Sequence, residues 1–367
     1  MESDKIKVGL IGLNPDSQWA SVSHIPALKL LSNKFDIIGV ANSTHESAKK
    51  AAAAFQIPNA FENAQMLVES NDIDLVVITV KVAYHFELVK AALEAGKHVY
   101  CEHPLGNGLE ETKTLAALAK SKNVIAVVGT QMVVAPELLY LAQLINEGYV
   151  GKVLSTTLIG SGGSWGDETV IANYYLYEKE NGATMLTIPL GHTLAGLTKV
   201  LGGFNQLTAR MSSNFKNVNI KDTGAIKPKT SEDQIMVIGT LQSGAAVTVH
   251  YRGGISRATN FLWEINGSKG DIQVTAPLGH GQQAQLTIHG ARGDETELKP
   301  LTVPAEMYQG LTGNPVIGNV AQIYKRLAAD IRNNTRTAPS FEDAAFLHEL
   351  LNRIEISALF NGPYVTG

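Results

Sequence analysis

Cysteine is nearly missing from this 367-residue chain: Cys101 stands alone, so no disulfide can close within it. A chain of this length without internal staples suits a reducing compartment, and the expected location is cytoplasmic. Charge is also scarce. Charged residues make up 17%, and a net charge of -4 offers no general attraction to phosphate backbones or anionic lipid. No local basic patch offsets this, so neither nucleic acid nor a membrane surface is an expected partner. Long apolar runs are missing too, none approaching the roughly 20 residues that span a bilayer. The first seven residues are polar and charged and lead straight into a strand pattern, unlike a secretory leader. No His, Cys and carboxylate group has metal-ligand spacing, so no metal is expected. What the chain does have is apolar material, 44% of its residues, and that length and content favour two domains.

Up to about Met132, short apolar runs alternate with amphipathic stretches. The strands expected are Val8–Ile11, Phe35–Ala41, Leu75–Val80, His98–Cys101 and Val124–Val128, with helices at Pro26–Leu31, Ser47–Phe55, Phe86–Ala95 and Leu109–Lys120. Runs apolar throughout, such as Leu75-Val76-Val77-Ile78, suit a parallel sheet covered on both faces, so a doubly wound α/β sheet is predicted for residues 1–132. After a helix at about Ala135–Gly148 the pattern changes. Residues 133–367 read as an α+β domain with a large, mostly antiparallel, open-faced sheet. Its expected strands are Val153–Gly160, Gln206–Ser213, Ile235–Leu241, Ala245–Tyr251, Asn260–Ile265, Asp271–Thr275 and Gln285–His289. Asn266-Gly267 is a hairpin signal between two of them. One helical stretch, Thr184–Leu201, interrupts the sheet. Two amphipathic helices, Val316–Asn333 and Phe341–Leu359, close the chain, with the option of packing back on the first domain.

The first strand delivers Gly9-Leu10-Ile11-Gly12-Leu13-Asn14-Pro15-Asp16-Ser17 to the turn where a dinucleotide fold cradles a pyrophosphate. Gly12 fits the first glycine of G-x-G-x-x-G, while Asn14 and Ser17 replace the others. Asn tolerates positive φ, which would let the turn survive. Leu13 and Trp19 complete the candidate contacts here. The second strand ends in Asn42-Ser43-Thr44 with no acid to hold a ribose, and Lys49 and Lys50 follow. Those groups accommodate a ribose 2′-phosphate better than a carboxylate would, which favours NADP over NAD. Two lysines on an amphipathic helix also read as a solvated face.

The more specific block runs from Leu75-Val76-Val77-Ile78-Thr79-Val80 through His85 to Ala95-Gly96-Lys97-His98-Val99-Tyr100-Cys101-Glu102-His103-Pro104. It resembles the family of glucose–fructose oxidoreductase and inositol dehydrogenase, whose members carry A-L-x-A-G-K-H-V-x-x-E-K-P. Gly148-Tyr149-Val150-Gly151 and Ile265-Asn266-Gly267-Ser268-Lys269-Gly270 follow the same family's patterns. The resemblance implies a Rossmann domain, a sheet domain and a substrate between them. It also implies cofactor contacts from Thr79, Val80, His85, Glu102, His103 and Gln131.

Members of that family supply a proton through the lysine of E-K-P and through an aspartate and histidine spaced D-x-x-x-H. Here His103 stands in the lysine's place, and His192 has Ile188 four places before it, with Thr187 beside that. An imidazole titrates near working pH, so His192 and His103 are the candidate catalytic residues. The competing readings are a helix histidine satisfied by a carbonyl for His192, and a cofactor contact without a proton role for His103. Trp165, in Gly162-Gly163-Ser164-Trp165-Gly166, is a candidate sugar-stacking residue, and Tyr175 and His192 complete the expected substrate set. Gly12-Leu13-Asn14, Ser17-Gln18-Trp19-Ala20, Asn181-Gly182 with Gly191-His192-Thr193, and Tyr251-Arg252-Gly253-Gly254 are similar to the fungal galactose-regulon repressor branch. The expected function is thus an NAD(P)-dependent oxidoreductase acting on a sugar, polyol or related compound; the alternative is a non-catalytic dinucleotide-binding regulator. A homo-oligomer joined through the open sheet face is also expected.

Overall fold

The computed structural model describes residues 5–16 and 19–360, with the backbone of 364–365. It divides into two compact units, Met1–Gln131 with Leu311–Phe346, and Met132–Gly310 with Leu347–Gly367.

The first unit is built on six parallel strands, β1 (Ile6–Ile11), β2 (Phe35–Ala41), β3 (Asn59–Ala60), β4 (Leu75–Ile78), β5 (His98–Glu102) and β6 (Ala126–Gly129), in the order β3-β2-β1-β4-β5-β6. All four residues of β4 are buried, as the apolar run requires of a strand covered on both faces. The unit's helices are α1 (Ile25–Leu30), α2 (His45–Phe55), α3 (Ala64–Glu69), α4 (His85–Glu94) and α5 (Leu109–Lys122). Leu67 and Val68 of α3, Val89 and Leu93 of α4, and Leu115 of α5 bury their side chains against one face of the sheet. Each such burial stabilises the fold by about 1.5–3 kcal/mol.

The first helix differs from the expected one. A π-helical turn, Ala20–His24, precedes α1 and places His24 inside the unit. The strand β3 and helix α3 were not anticipated, being too short to show a period.

The second unit opens with α6 (Pro136–Asn146) and contains α7 (Gly191–Leu201), itself preceded by a π-helical turn at Leu186–Leu190. Its strands are β7 (Val153–Ser161), β8 (Glu168–Thr169), β9 (Phe204–Ser212), β10 (Asn217–Ile220), β11 (Ala225–Pro228), β12 (Gln234–Leu241), β13 (Ala246–Arg252), β14 (Phe261–Gly267), β15 (Gly270–Ala276), β16 (Thr287–Arg292), β17 (Lys299–Pro300) and β18 (Tyr364–Val365). Nine of these form one sheet, β17-β16-β15-β14-β7-β13-β12-β9-β18, antiparallel except where β13 runs parallel to β7. The hairpin expected at Asn266-Gly267 is present but its turn lies further on: Asn266 pairs with Asp271, Gly267 ends β14, and Ser268-Lys269 leads into β15. Along β12, Ile235 and Val237 face the core while Met236 and Ile238 face outward. The covered face packs on Leu138 and Leu141 of α6 and on Leu194 and Leu197 of α7. The small sheet β11-β10-β8, with Val218, Ile220 and Tyr177 as its core, was not expected from sequence.

The chain's last helices are α8 (Pro315–Asn333), in the first unit, and α9 (Phe341–Phe360), whose first residues belong to the first unit and the rest to the second. Among the described residues, no helix is long and apolar enough to cross a membrane.

Candidate functional site

In the first unit, the strand order reverses between β1 and β4, which is where open α/β sheets leave a crevice at their carboxyl ends. Gly12 turns the chain there at φ +100°. A Cβ at Gly12 would lie 2.6 Å from Val80 Cγ1 and 3.0 Å from the Val80 nitrogen, so only glycine fits. Thr79 Oγ1 donates to the carbonyls of Ile11 and Gly12, at 3.3 and 3.2 Å. Thr79 and Val80 therefore shape the turn directly.

Several expected cofactor contacts are committed to the turn instead. Asn42 accepts from the Leu13 N–H through Oδ1 and donates to the Leu13 carbonyl through Nδ2, both at 2.9 Å. Its amide is a two-point clamp on the backbone of the turn. Thr44 caps α2 by accepting from the Ser47 N–H at 3.2 Å, which accounts for its place without a cofactor. Asn14 does not adopt the positive φ expected of it; its Oδ1 accepts from the Asp16 N–H at 2.9 Å in a local turn. Its carbonyl also accepts from Ser21 Oγ. Ser43 and Lys49 are exposed, and Lys50 pairs with Asp16 at 2.7 Å. Ser17 lies outside the described residues.

His85 is a further correction. It is buried with Nδ1 2.7 Å from the Pro104 carbonyl and Nε2 3.0 Å from the Val80 carbonyl. A neutral imidazole carries one N–H and satisfies one of these at a time. Burial holds its pKa below the usual histidine value, outweighing the two carbonyls, which act to raise it. Both nitrogens thus face the main chain, and His85 ties the loop after β4 to the loop after β5 rather than reaching a ligand.

The densest polar arrangement of this unit surrounds Glu102, at the end of β5. Gln131 Nε2 donates to both carboxylate oxygens at 2.9 Å, and His24 Nε2 lies 2.9 Å from Oε1. His24 Nδ1 in turn lies 2.7 Å from Tyr324 Oη, on α8. The ring of Tyr100 packs on both His24 and Tyr324, with centroids 5.0 Å apart in each case. His24 is fully buried, whereas the Glu102 side chain keeps 13% exposure, so the carboxylate is the end of the chain that meets solvent. Gly129 leaves room for it, since a Cβ there would fall 2.6 Å from Oε1. His103, the next residue, is buried and joined to Pro104 by a cis peptide. Sequence reasoning missed His24 and Tyr324. The only local signal was a histidine on a helical face otherwise made of Ile25, Ala27 and Leu28.

In the second unit, His192 is buried in the first turn of α7. Its neighbour Thr193 bonds to Tyr251 Oη at 2.6 Å, and Tyr251 donates to the Gly279 carbonyl at 2.8 Å. At the aspartate's place, Ile188 packs on the apolar core, and Thr187 Oγ1 donates to the Gly182 carbonyl at 2.7 Å. Tyr175 is half-buried, and burial raises its phenol. Trp165 is 1% exposed, at φ +63°, with His280 stacked parallel to its ring at 6.2 Å. That ring is core packing, so the expectation of a sugar-stacking face on Trp165 is withdrawn. Among the described residues no group of three His, Cys, Asp or Glu side chains is placed to hold a metal.

A six-stranded sheet of this order, a glycine turn at its switch point and a second unit on a nine-stranded sheet define a dinucleotide-binding protein with an attached sheet domain. The model of the oxidoreductase family with an NAD-binding Rossmann fold matches residues 6–130, and that of the Gal80p C-terminal domain matches residues 136–276. The dehydrogenase aclE of Aspergillus oryzae is 30% identical over 299 residues, covering 75% of this chain and 78% of the relative. The galactose/lactose metabolism regulatory protein GAL80 of Saccharomyces cerevisiae is 27% identical, covering 95% of this chain and 92% of the relative. The solved super-repressor mutant of Gal80p from that yeast superposes with a TM-score of 0.90 at 25% identity, over 99% of this chain and 98% of that one. Levoglucosan dehydrogenase in complex with NADH and L-sorbose shares the fold, with a TM-score of 0.85 at 22% identity over 99% of each chain. The chain belongs to this oxidoreductase family, in which the Rossmann domain is NAD-binding.

The residues at the crevice fit such a cofactor. Trp19 Nε1, a donor at the start of the π-helical turn, and Gln131 Oε1, an acceptor just after β6, are buried without hydrogen-bond partners among the described residues. A dinucleotide can supply partners to both.

Proposed function

We propose that the protein is an NAD(P)-dependent oxidoreductase acting on a sugar, polyol or related hydroxyl compound. The observation that carries this is the Glu102 carboxylate, anchored by His24 and Gln131 beside His103 at the carboxyl end of β5. It keeps the family's glutamate, with a histidine as the next residue. The bound nicotinamide supplies the hydride acceptor or donor. Gly12, Leu13, Thr79 and Val80 shape the turn that receives the pyrophosphate, and Trp19 and Gln131 offer hydrogen bonds. His103 and His192 are proposed to move the substrate proton, with Tyr175 orienting the substrate. No carboxylate stands at the end of β2, and Ser43 and Lys49 are exposed there. That arrangement lacks the acid that would repel a 2′-phosphate at the ribose-binding position, so NADPH is expected to bind at least as well as NADH.

The aclE relative is a dehydrogenase and the levoglucosan enzyme is named for a sugar, which supports the substrate class. A second reading, a non-catalytic dinucleotide-dependent regulator, is favoured by Ile188 at the aspartate's position and by the fit to Gal80p. Fluorescence titration with NADH and NADPH tests the shared requirement. Turnover of a sugar and polyol panel, followed at the nicotinamide absorbance, separates the two. The enzyme reading expects His192→Ala to abolish turnover and leave cofactor affinity intact; tight binding with no turnover on the whole panel would leave the regulator. The outer face of the nine-stranded sheet, with Met236 and Ile238 exposed, is proposed to join two copies, and light scattering showing a monomer would refute that.

A further inference from the structure

With a neutral imidazole facing an ionised carboxylate, the buried chain Tyr324–His24–Glu102 has one hydrogen-bond assignment. Tyr324 is fully buried, and burial together with the Glu102 charge holds its phenol far above the usual tyrosine range, so it stays a neutral O–H donor. A phenol both donates and accepts, so the direction is set from the other end: Glu102 Oε1 accepts from His24 Nε2, and a neutral imidazole then offers Nδ1 to the Tyr324 O–H at 2.7 Å. The imidazole proton is then on Nε2, 2.9 Å from Glu102 Oε1. Gln131 Nε2 donates to both carboxylate oxygens at 2.9 Å. His24 and Gln131 thus both reach Oε1 and Gln131 also reaches Oε2, on a side chain that keeps partial exposure.

The position of this anion follows from the strand order. In a sheet ordered β3-β2-β1-β4-β5-β6, the adenosine half belongs with β1 and β2, where the ribose-binding position falls, and the nicotinamide half with β4 to β6. Glu102 ends β5. The oxidised nicotinamide ring is positive and the reduced ring is neutral, so a fixed anion in that half interacts differently with the two.

We propose that Tyr324 and His24 are positioning residues that hold Glu102 as an oriented anion, and that this anion makes the site favour the oxidised dinucleotide over the reduced one. The proposal rests on dinucleotide binding by the first unit. It applies whether the protein turns over a substrate or only senses the cofactor.

The test measures dissociation constants of the oxidised and reduced cofactor for the wild type, Glu102→Gln, Tyr324→Phe and Gly129→Ala, which crowds the carboxylate from the far side. The ratio favouring the oxidised form is expected to fall about five-fold or more in Glu102→Gln, and to fall in the same direction in the other two. His24→Gln retains an N–H toward Glu102 and is expected to keep more of the ratio than His24→Ala. Nitrogen-15 shifts of His24 should report the Nε2–H tautomer in the wild type and its loss in Tyr324→Phe. This reading remains available even if Gly129→Ala fails to fold. An unmoved ratio in Glu102→Gln, with both forms still bound, overturns the proposal alone; so does an Nδ1–H tautomer in the wild type. Wild-type protein that binds neither form would overturn dinucleotide binding, and the proposal with it.

Discussion

Replacing Gly12 with alanine tests the turn at two levels, because two separate costs meet there. At φ +100° an L-residue is in the left-handed half of backbone space, which costs about 1–2 kcal/mol. The new methyl would also sit 2.6 Å from Val80 Cγ1, 3.0 Å from the Val80 nitrogen and 3.1 Å from the Thr79 carbonyl carbon. The first contact can be relieved by moving a side chain. The other two are backbone at the end of a fully buried strand, and forcing an extra carbon into such packing costs a further 1–3 kcal/mol or so. Gly96 provides the control, since it lies at φ +72° in the same unit with nothing within 4 Å of its would-be Cβ. Gly96→Ala should lose only the conformational part, about 1–2 kcal/mol, and Gly12→Ala about 2–5 kcal/mol. Urea unfolding followed by circular dichroism measures both. NADH titration should show weakened binding for Gly12→Ala alone, because the same displacement moves the turn. Equal stability losses in the two variants would refute the close-approach argument, whatever happened to cofactor binding.

Two further predictions concern stability. His348, on α9, is 2% exposed, and burial pushes its pKa down from 6.5 to about 4. The unfolded chain takes up this proton first, so the stabilisation is present above pH 6.5 and lost as pH falls toward 4, by about 2 kcal/mol between pH 7 and pH 5. His348→Leu should lose stability less steeply than wild type over that interval in urea midpoints; parallel curves would contradict it. Asp330, near the end of α8, accepts from the N–H groups of Thr337 and Ala338 at 2.9 Å and from Thr335 Oγ1 at 2.6 Å, and these bonds hold its pKa below the usual carboxylate range. Its contribution is present above the ordinary aspartate range and disappears as pH falls through the lowered folded value. Asp330→Ala strands two backbone donors and should cost about 2–4 kcal/mol at pH 7, with a thermal unfolding loss under 1 kcal/mol counting against the assignment.

Much of the architecture was legible because it follows from short-range pattern. A four-residue apolar strand such as Leu75–Ile78 needs cover on both faces wherever it sits, and the alternation of Ile235, Met236, Val237 and Ile238 fixes one buried face. Ala95-Gly96-Lys97-His98-Val99 and Glu102-His103-Pro104 carried the family. The smaller β8, β10 and β11 escaped because two to four residues cannot establish a period. Both π-helical turns escaped for a related reason, since a local widening leaves the apolar spacing almost unchanged.

At the site, the sequence by itself determined residue types and their order: a glycine at the first turn, a glutamate before His103, no acid at the end of β2, and Ile188 where an aspartate would precede His192. Only the tertiary structure decided what those groups do. Asn42, Thr44 and His85 stand where a cofactor contact was expected, yet their polar atoms are taken by Leu13, Ser47, Val80 and Pro104. Trp165 stands in a glycine-rich loop, yet its ring is interior. Tyr324 and His24 are 300 residues apart, and nothing local to either announces the other. The physical reason is that a hydrogen bond is formed by whichever partner the fold brings within about 3 Å. Sequence supplies the donors and acceptors, and the packing of α8 against the first helical turn chooses between them.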